Sequence, residues 1–349
     1  MEFELVATIE RYPPDIALRY AELAERCGFD AVGVPDHFHP WVHSWGQSGF
    51  CWVWIAIALE RLKRVQVGSC VTAPTIRYHP AVVAQAFATL GYLYPSRVYL
   101  GVGTGEPMNE LPLGLEWPSH RERLERLREA ITIIRLLWTK NRVTFRGKYY
   151  RLVRATLYTK PRAKVPILVA GAGPKTARMA GELADGLITV PHLKHELSEI
   201  LGALKEGARA AGRDPGEMIR AVHMLVSYDE DYDRALDATE PWAPVLLPVL
   251  YKYGVFDPVE MEECGRLVGR EVRAKTFLIA TEPEHLIKRL EELARAGFTR
   301  FQFNNSSPEP PKFIEVMGRE VIPYLREEFS GELGDSASCR AHRRAGTQR

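Results

Sequence analysis

The stretch DHFHPW, residues 36–41, sets a carboxylate, two imidazoles and an indole side by side directly after the apolar run Ala31–Val34. Three chemistries fit such a cluster. Asp36, His37 and His39 could hold a metal, but that needs further ligands at later strand ends. Only His79 and His192 offer themselves, both beside prolines, and no metal is expected. His39, His43 and Trp41 could instead simply pack a long loop. Thirdly, His37 could be a general acid/base, because imidazole titrates near working pH, with Trp41 as a wall that positions a flat ligand. Glu10 and Glu106 favour this third reading, since carboxylates converging in an apolar mouth hold or share protons. A separate element, GAGP at 171–174, opens a helix at Pro174. Backbone N–H groups left free there face the positive end of the helix dipole and form an anion seat, although glycine–proline turns are also ordinary helix starts.

These residues share one property of position: each follows a short apolar run. FELVATI, DAVGV, VQVGSCV and RVYLGVG precede helical patterns at 14–27, 49–62, 80–93 and 121–138; PILVAG and DGLITV precede those at 174–184 and 196–211. AVHMLVSYD leads into a long mixed stretch, and FQFNN into a helical pattern at 312–329. Eight strand–helix units, each strand apolar throughout and bounded by Gly, Pro, Asn or Asp, indicate an α/β fold, a (β/α)8 TIM barrel. Catalytic groups in such barrels come from the C-terminal ends of the strands. Two segments interrupt the rhythm. Residues 141–159 alternate about Arg146-Gly147 as an inserted hairpin, and residues 229–275 read as short helices over the barrel mouth. One domain is expected over 1–329, followed by a disordered tail from 330.

Composition excludes other classes. The chain has 349 residues, 46% apolar, with a formal net charge of +2, so there is no basic face for nucleic acid and a small-molecule substrate is expected. The strongest apolar run, 51–59, is far below the roughly 20 residues of a membrane span, and no basic leader precedes it. A cytoplasmic protein is expected. Five cysteines without CxxC spacing read as reduced thiols.

DHFHPW, SCVTAPTIRYHPAVVAQAFATL (69–90) and YPSRVYLGVGTGEPMNE (94–110) together resemble the luciferase-like flavin and deazaflavin superfamily, and within it the dehydrogenases that use coenzyme F420. The resemblance runs from about Phe3 to Phe329. It implies an oxidoreductase that moves hydride from an alcohol carbon to oxidised coenzyme F420. The deazaflavin ring would lie against a bulge at a non-prolyl cis peptide, here Cys70-Val71, followed by Ala73. Asp36, Thr104 and Asn109 would contact the coenzyme, and Ala172, Gly173, Lys175 and Thr176 would seat its phosphate. His37 would take the hydroxyl proton, Trp41 would position the reacting carbon, Glu106 would be the acid beside the ring, and Glu10 would orient substrate or tune His37. His39 is left a packing role. A homodimer is also implied.

Relatives that oxidise glucose 6-phosphate grip the phosphate with basic residues. Lys194 and Lys252 stand near two such positions, whereas Thr276 aligns with an arginine and Val190 with a threonine. Cys70, LYTKP (157–161) and FNNSSPE (303–309) are more like relatives acting on small secondary alcohols. A small alcohol or unphosphorylated sugar is therefore expected, with the phosphosugar, or an FMN-dependent monooxygenase, as the alternatives. Arg77, Arg273 or Lys275 could supply a replacement charge.

Overall fold

Eight of the apolar runs form the staves of a closed parallel barrel in the computed structural model, which describes residues 1–191 and 195–330. In chain order the strands are β1 (Glu2–Val6), β2 (Ala31–Val34), β3 (Gln66–Thr72), β4 (Val98–Val102), β5 (Val143–Arg146), β6 (Arg151–Ala155), β7 (Ile167–Ala170), β8 (Gly186–Thr189), β9 (Ile219–Tyr228), β10 (Leu278–Ala280) and β11 (Arg300–Asn305). The barrel runs β11-β1-β2-β3-β4-β7-β8-β9 and closes where Arg300 of β11 pairs with Ala221 of β9. Strands buried on both faces need apolar residues throughout, which is why β2 and β4 are buried along their whole lengths.

The helices between staves obey the same economy. Pro14–Arg26 buries Ala17, Ala21 and Ala24, one stripe at helical spacing, against the barrel wall. Proline opens it, as it opens Pro80–Leu93 and Pro174–Leu183, where the missing N–H costs nothing. Ser119 caps His120–Thr139 by accepting from Glu122 N at 3.3 Å. None of the helices among the described residues is long and apolar enough to cross a membrane.

Two elements between the mixed stretch and the last stave were not anticipated. β10 adds a ninth parallel strand at the end of β9, pairing Leu278 with Val226, and the helix Pro283–Arg295 leads into β11. The expected insertions are both present. β5 and β6 form an antiparallel hairpin whose turn is closed by Gly147 N donating to Tyr150 O. Tyr150 OH donates to Thr75 O at 2.6 Å, which fastens the hairpin to the segment after β3. Between Tyr232 and Thr276, short helices cap the barrel mouth. They rest on a second apolar cluster in which Trp242, Leu250 and Met261 pack with Trp41, Val42 and Met108, so the loops after β2 and β4 are held from above. The expected disordered tail lies outside the described residues from 331 onward.

Close backbone approach shapes the staves beside the mouth. The β3–β4 register shifts between Ser69 and Thr72, and the Cys70-Val71 peptide is cis. A Cβ on residue 101 would lie 2.1 Å from Ser69 O, so glycine at this position of β4 lets the bulged strand lie against it.

Candidate active site

His37, Trp41, Glu10 and Glu106, drawn from three strand ends, meet at the barrel mouth. His37 Nε2 is 3.1 Å from Glu106 Oε2, and Nδ1 is 3.9 Å from Glu10 Oε1. Trp41 meets the imidazole edge-on at 5.8 Å between centroids and is tilted against Tyr251 at 5.9 Å. Burial pushes the His37 imidazole down, but Glu106, Glu10 and Asp36 outweigh it and hold the pKa above the ordinary value. Glu10 is almost wholly buried, and burial raises its pKa more than His37 lowers it. His37 and Glu10 therefore both favour their protonated forms.

The loop carrying His37 is fixed from both sides. Asn109 Oδ1 accepts from Phe38 N at 2.7 Å while its Nδ2 donates to Glu106 Oε2 at 3.3 Å, joining the loop after β2 to the turn after β4. Asp36 Oδ2 accepts from Thr72 Oγ1 at 2.7 Å, and Oδ1 from Arg77 Nη2 at 3.1 Å and Tyr78 OH at 3.3 Å. Burial still raises the Asp36 pKa despite Arg77. Arg77 is thereby committed to Asp36 and is not a spare charge for a substrate. His39 stacks on Phe38 and approaches Phe256 O at 3.4 Å, a loop-fixing position outside the cavities of the mouth.

Two adjoining cavities share His37, Cys70, Glu106, Ala172, Val190, His223 and Tyr251 as a common boundary. The larger, about 810 Å³, has Trp41, Trp242 and Leu246 in its walls; the smaller is about 430 Å³. Small residues line the smaller one: Val71, Ala73, Thr104 and Gly105 on the β3–β4 side, Ala172 and Thr176 on the other. Thr189 Oγ1 and Arg123 Nε are buried there without a partner among the described residues. A cavity with small side chains on two sides and unsatisfied polar atoms suits a flat, polar-edged ring with an anionic tail. Lys175 is exposed and lines neither cavity, and Gly173 lies in the turn between Ala172 and Thr176, which line the smaller one.

Relationships of the chain agree with this geometry. The luciferase-like monooxygenase family model matches residues 1–300. The chain belongs to this family. Among its relatives in the luciferase-like family, the F420-dependent glucose-6-phosphate dehydrogenase of Microbacterium testaceum is 41% identical over 332 residues, covering 95% of this chain and 99% of that one. The protein of the same name from Beutenbergia cavernae is 42% identical over 322 residues, covering 92% and 96%. A solved F420-dependent secondary alcohol dehydrogenase, in complex with an F420-acetone adduct, matches with 42% identity and a TM-score of 0.88 over 93% of this chain and 99% of that chain.

The substrate side of this luciferase-like barrel departs from the reading of the sequence. Val190 and Thr276 line the larger cavity, but Thr276 Oγ1 donates to Val272 O at 2.8 Å. Lys252 is exposed, with its ammonium 4.9 Å from the Tyr253 ring, and lines neither cavity; Lys275 is likewise exposed and outside both. Arg273 is buried and donates to Leu236 O and Thr239 Oγ1, pinning the cap. Lys194 and His192 lie outside the described residues. Among the described residues, no lysine or arginine lines the larger cavity.

Lining residues not singled out from the sequence include Tyr251, Trp242 and His223. His223 carried a legible signal, a polar residue inside the apolar run AVHMLVSY. At i and i+2 on β9, His223 and Leu225 both reach the larger cavity, as strand alternation requires. Its Nδ1 is 3.8 Å from Cys70 Sγ, a thiol that burial holds well above the ordinary range and therefore neutral.

Proposed function

We propose that the protein is a coenzyme F420-dependent dehydrogenase that converts the CH–OH group of a neutral alcohol or unphosphorylated sugar to a carbonyl. The observation that carries this reading is His37, set between Glu106 and Glu10 and beside Trp41 on the boundary of the two cavities. The names of relatives at about 40% identity support the coenzyme and the donor class. When bound, the deazaflavin supplies a ring carbon that takes up hydride and does not readily activate oxygen.

The chain supplies placement and proton handling. A substrate hydroxyl reaching His37 Nε2 competes with Glu106 for that nitrogen, so binding hands His37 its proton donor and releases Glu106 towards the smaller cavity. Trp41 walls the reacting carbon, and Glu10 holds the imidazole from the other side. Asp36, Cys70, Val71, Ala73, Thr104 and Asn109 would face the coenzyme ring, with Ala172, Gly173 and Thr176 at its phosphate. Homodimeric assembly and a cytoplasmic location are part of the same reading; light scattering after gel filtration tests the first.

The deciding experiment tracks oxidised-coenzyme absorbance on mixing the protein and F420 with isopropanol, glucose or glucose 6-phosphate. Bleaching by a neutral alcohol supports the reading, bleaching by glucose 6-phosphate alone replaces the substrate class, and none despite tight coenzyme binding removes the alcohol donor.

The pH profile gives a second test. His37 must be neutral to accept a proton, and its pKa lies above 6.5, so kcat/KM for oxidation is expected to rise through a limb above pH 6.5. Glu106→Gln removes the largest influence raising that pKa; the limb then moves to lower pH, while the plateau falls about tenfold or more with the loss of an acid. Glu110, pushed up to about 7 by burial, is a second group in this range; Glu110→Gln is expected to leave the limb in place. A limb unmoved by Glu106→Gln but moved by Glu110→Gln would assign it to Glu110 instead.

A further inference from the structure

We infer that the alcohol oxidised here is neutral and carries an extended apolar substituent, an inference that rests on the dehydrogenase reading above and names its substrate class. Polarity in the larger cavity gathers at the boundary and floor, where Glu10, His37, Glu106, His223 and Asn304 lie; in the cap it includes Thr276, whose hydroxyl donates to Val272 O, and the buried indole N–H of Trp242. Asn304 Oδ1 is buried there with no partner among the described residues. The rest of the wall is mostly apolar: Leu225 from β9, and Trp242, Val245, Leu246, Pro248 and Val272 from the cap.

Three features of this chamber select against a phosphosugar and for an apolar chain. First, no lysine or arginine among the described residues lines it, and of the described cations placed nearby by the sequence, Lys252 and Lys275 are exposed outside it while Arg77 and Arg273 are bound elsewhere. Secondly, Glu10 and Glu106 face the same floor, and carboxylates repel a phosphate. Thirdly, about 810 Å³ is near the upper end of the roughly 300–1,000 Å³ typical of sites for drug-sized ligands. A three-carbon alcohol on His37 leaves the apolar upper part of that space unfilled. Val272 extends the apolar wall to the surface: it is half exposed on the cap helix Arg270–Thr276, yet lines the chamber.

An apolar chain entering this space gains in kcat/KM with each methylene removed from water, by about fourfold per group while room remains. The test measures coenzyme bleaching by the wild-type protein with isopropanol, 2-butanol, 2-hexanol and 2-octanol, alongside glucose and glucose 6-phosphate. The expected result is a roughly 50-fold rise from isopropanol to 2-hexanol, carried mainly by KM, with glucose 6-phosphate below isopropanol. A flat or falling series, or glucose 6-phosphate above every neutral alcohol, overturns the inference while leaving the dehydrogenase reading intact. Absence of bleaching with all of them, when coenzyme fluorescence reports binding, overturns both. Val272→Lys places a charge on the apolar wall at a half-exposed position that tolerates it; it is expected to flatten the chain-length series and to raise turnover of glucose 6-phosphate relative to 2-octanol. An unchanged series in that variant removes the chain from the chamber.

Discussion

Replacement of His37 by alanine is expected to lower kcat/KM for alcohol oxidation by about 10²–10⁴ while leaving coenzyme affinity within about threefold. The variant deletes the proton acceptor at the boundary of the cavities, whereas the lining of the smaller cavity by Val71, Ala73, Thr104 and Thr176 is untouched. It also leaves Glu10 and Glu106 without the imidazole between them. Glu10, whose pKa burial already raises, is then expected to stay protonated, because the imidazole that lowered it is gone. The pH limb assigned to His37 should vanish with it. Stopped-flow bleaching gives the rate and fluorescence quenching the affinity. Retention of more than a tenth of wild-type kcat/KM would mean that another group takes the proton, and a parallel loss of affinity would move His37 from proton transfer to coenzyme binding.

The barrel was legible because each stave is an apolar run ended by a turn residue, a pattern that burial on both faces imposes. β10 escaped because a three-residue strand has too few positions to show any period, and it pairs only at the end of β9. Of the site, His37, Trp41, Glu10 and Glu106 could be chosen because they come directly after strands, and strand ends converge in a barrel. The cap residues could not be ranked this way. WAPVLLPVLY offers many apolar side chains, and only tertiary packing decides that Trp242 and Tyr251 reach the cavities. Lys252, beside Tyr251, shows the converse: one step along the helix Pro248–Tyr253 turns a side chain by about 100°, enough to take its charge off the site.

Asp36 illustrates how position and commitment differ. It lines the smaller cavity, yet both its oxygens already accept bonds from Thr72, Arg77 and Tyr78. Arg77 in turn belongs to the segment that Tyr150 of the inserted hairpin clamps. The hairpin, remote in sequence, thus acts on the loop of His37 through two hydrogen-bonded steps.

Glu4→Ala is expected to destabilise the fold by about 3–5 kcal/mol, although residue 4 touches neither cavity. Glu4 is fully buried on β1 inside the barrel. Its Oε1 accepts from Tyr99 OH at 2.5 Å and Gln302 Nε2 at 2.9 Å, and Oε2 lies 3.6 Å from Arg300 Nη1. Space for the carboxylate comes from β2, where a Cβ on residue 33 would sit 2.3 Å from Oε1. Alanine leaves Tyr99 and Gln302 without their acceptor and leaves the buried Arg300 with Glu2, at the barrel's edge, as its remaining carboxylate beside the Gln66 amide. Glu4→Gln keeps an acceptor for Tyr99 and removes a carboxylate whose charged form burial already disfavours, so a loss of only about 1–2 kcal/mol is expected. The same raised pKa sets the sign of the pH dependence. The folded chain holds this proton more tightly than the unfolded chain, so the wild type loses stability from Glu4 as pH climbs above 4.5, a slope that Glu4→Gln removes. Urea midpoints across pH measure both effects, and identical midpoints for wild type and Glu4→Ala would mean that the layer does not hold the barrel. The layer also reaches the site, because Cys70 Sγ donates to Gln302 Oε1 at 3.5 Å; a raised KM in folded Glu4→Ala is therefore expected alongside the lower midpoint.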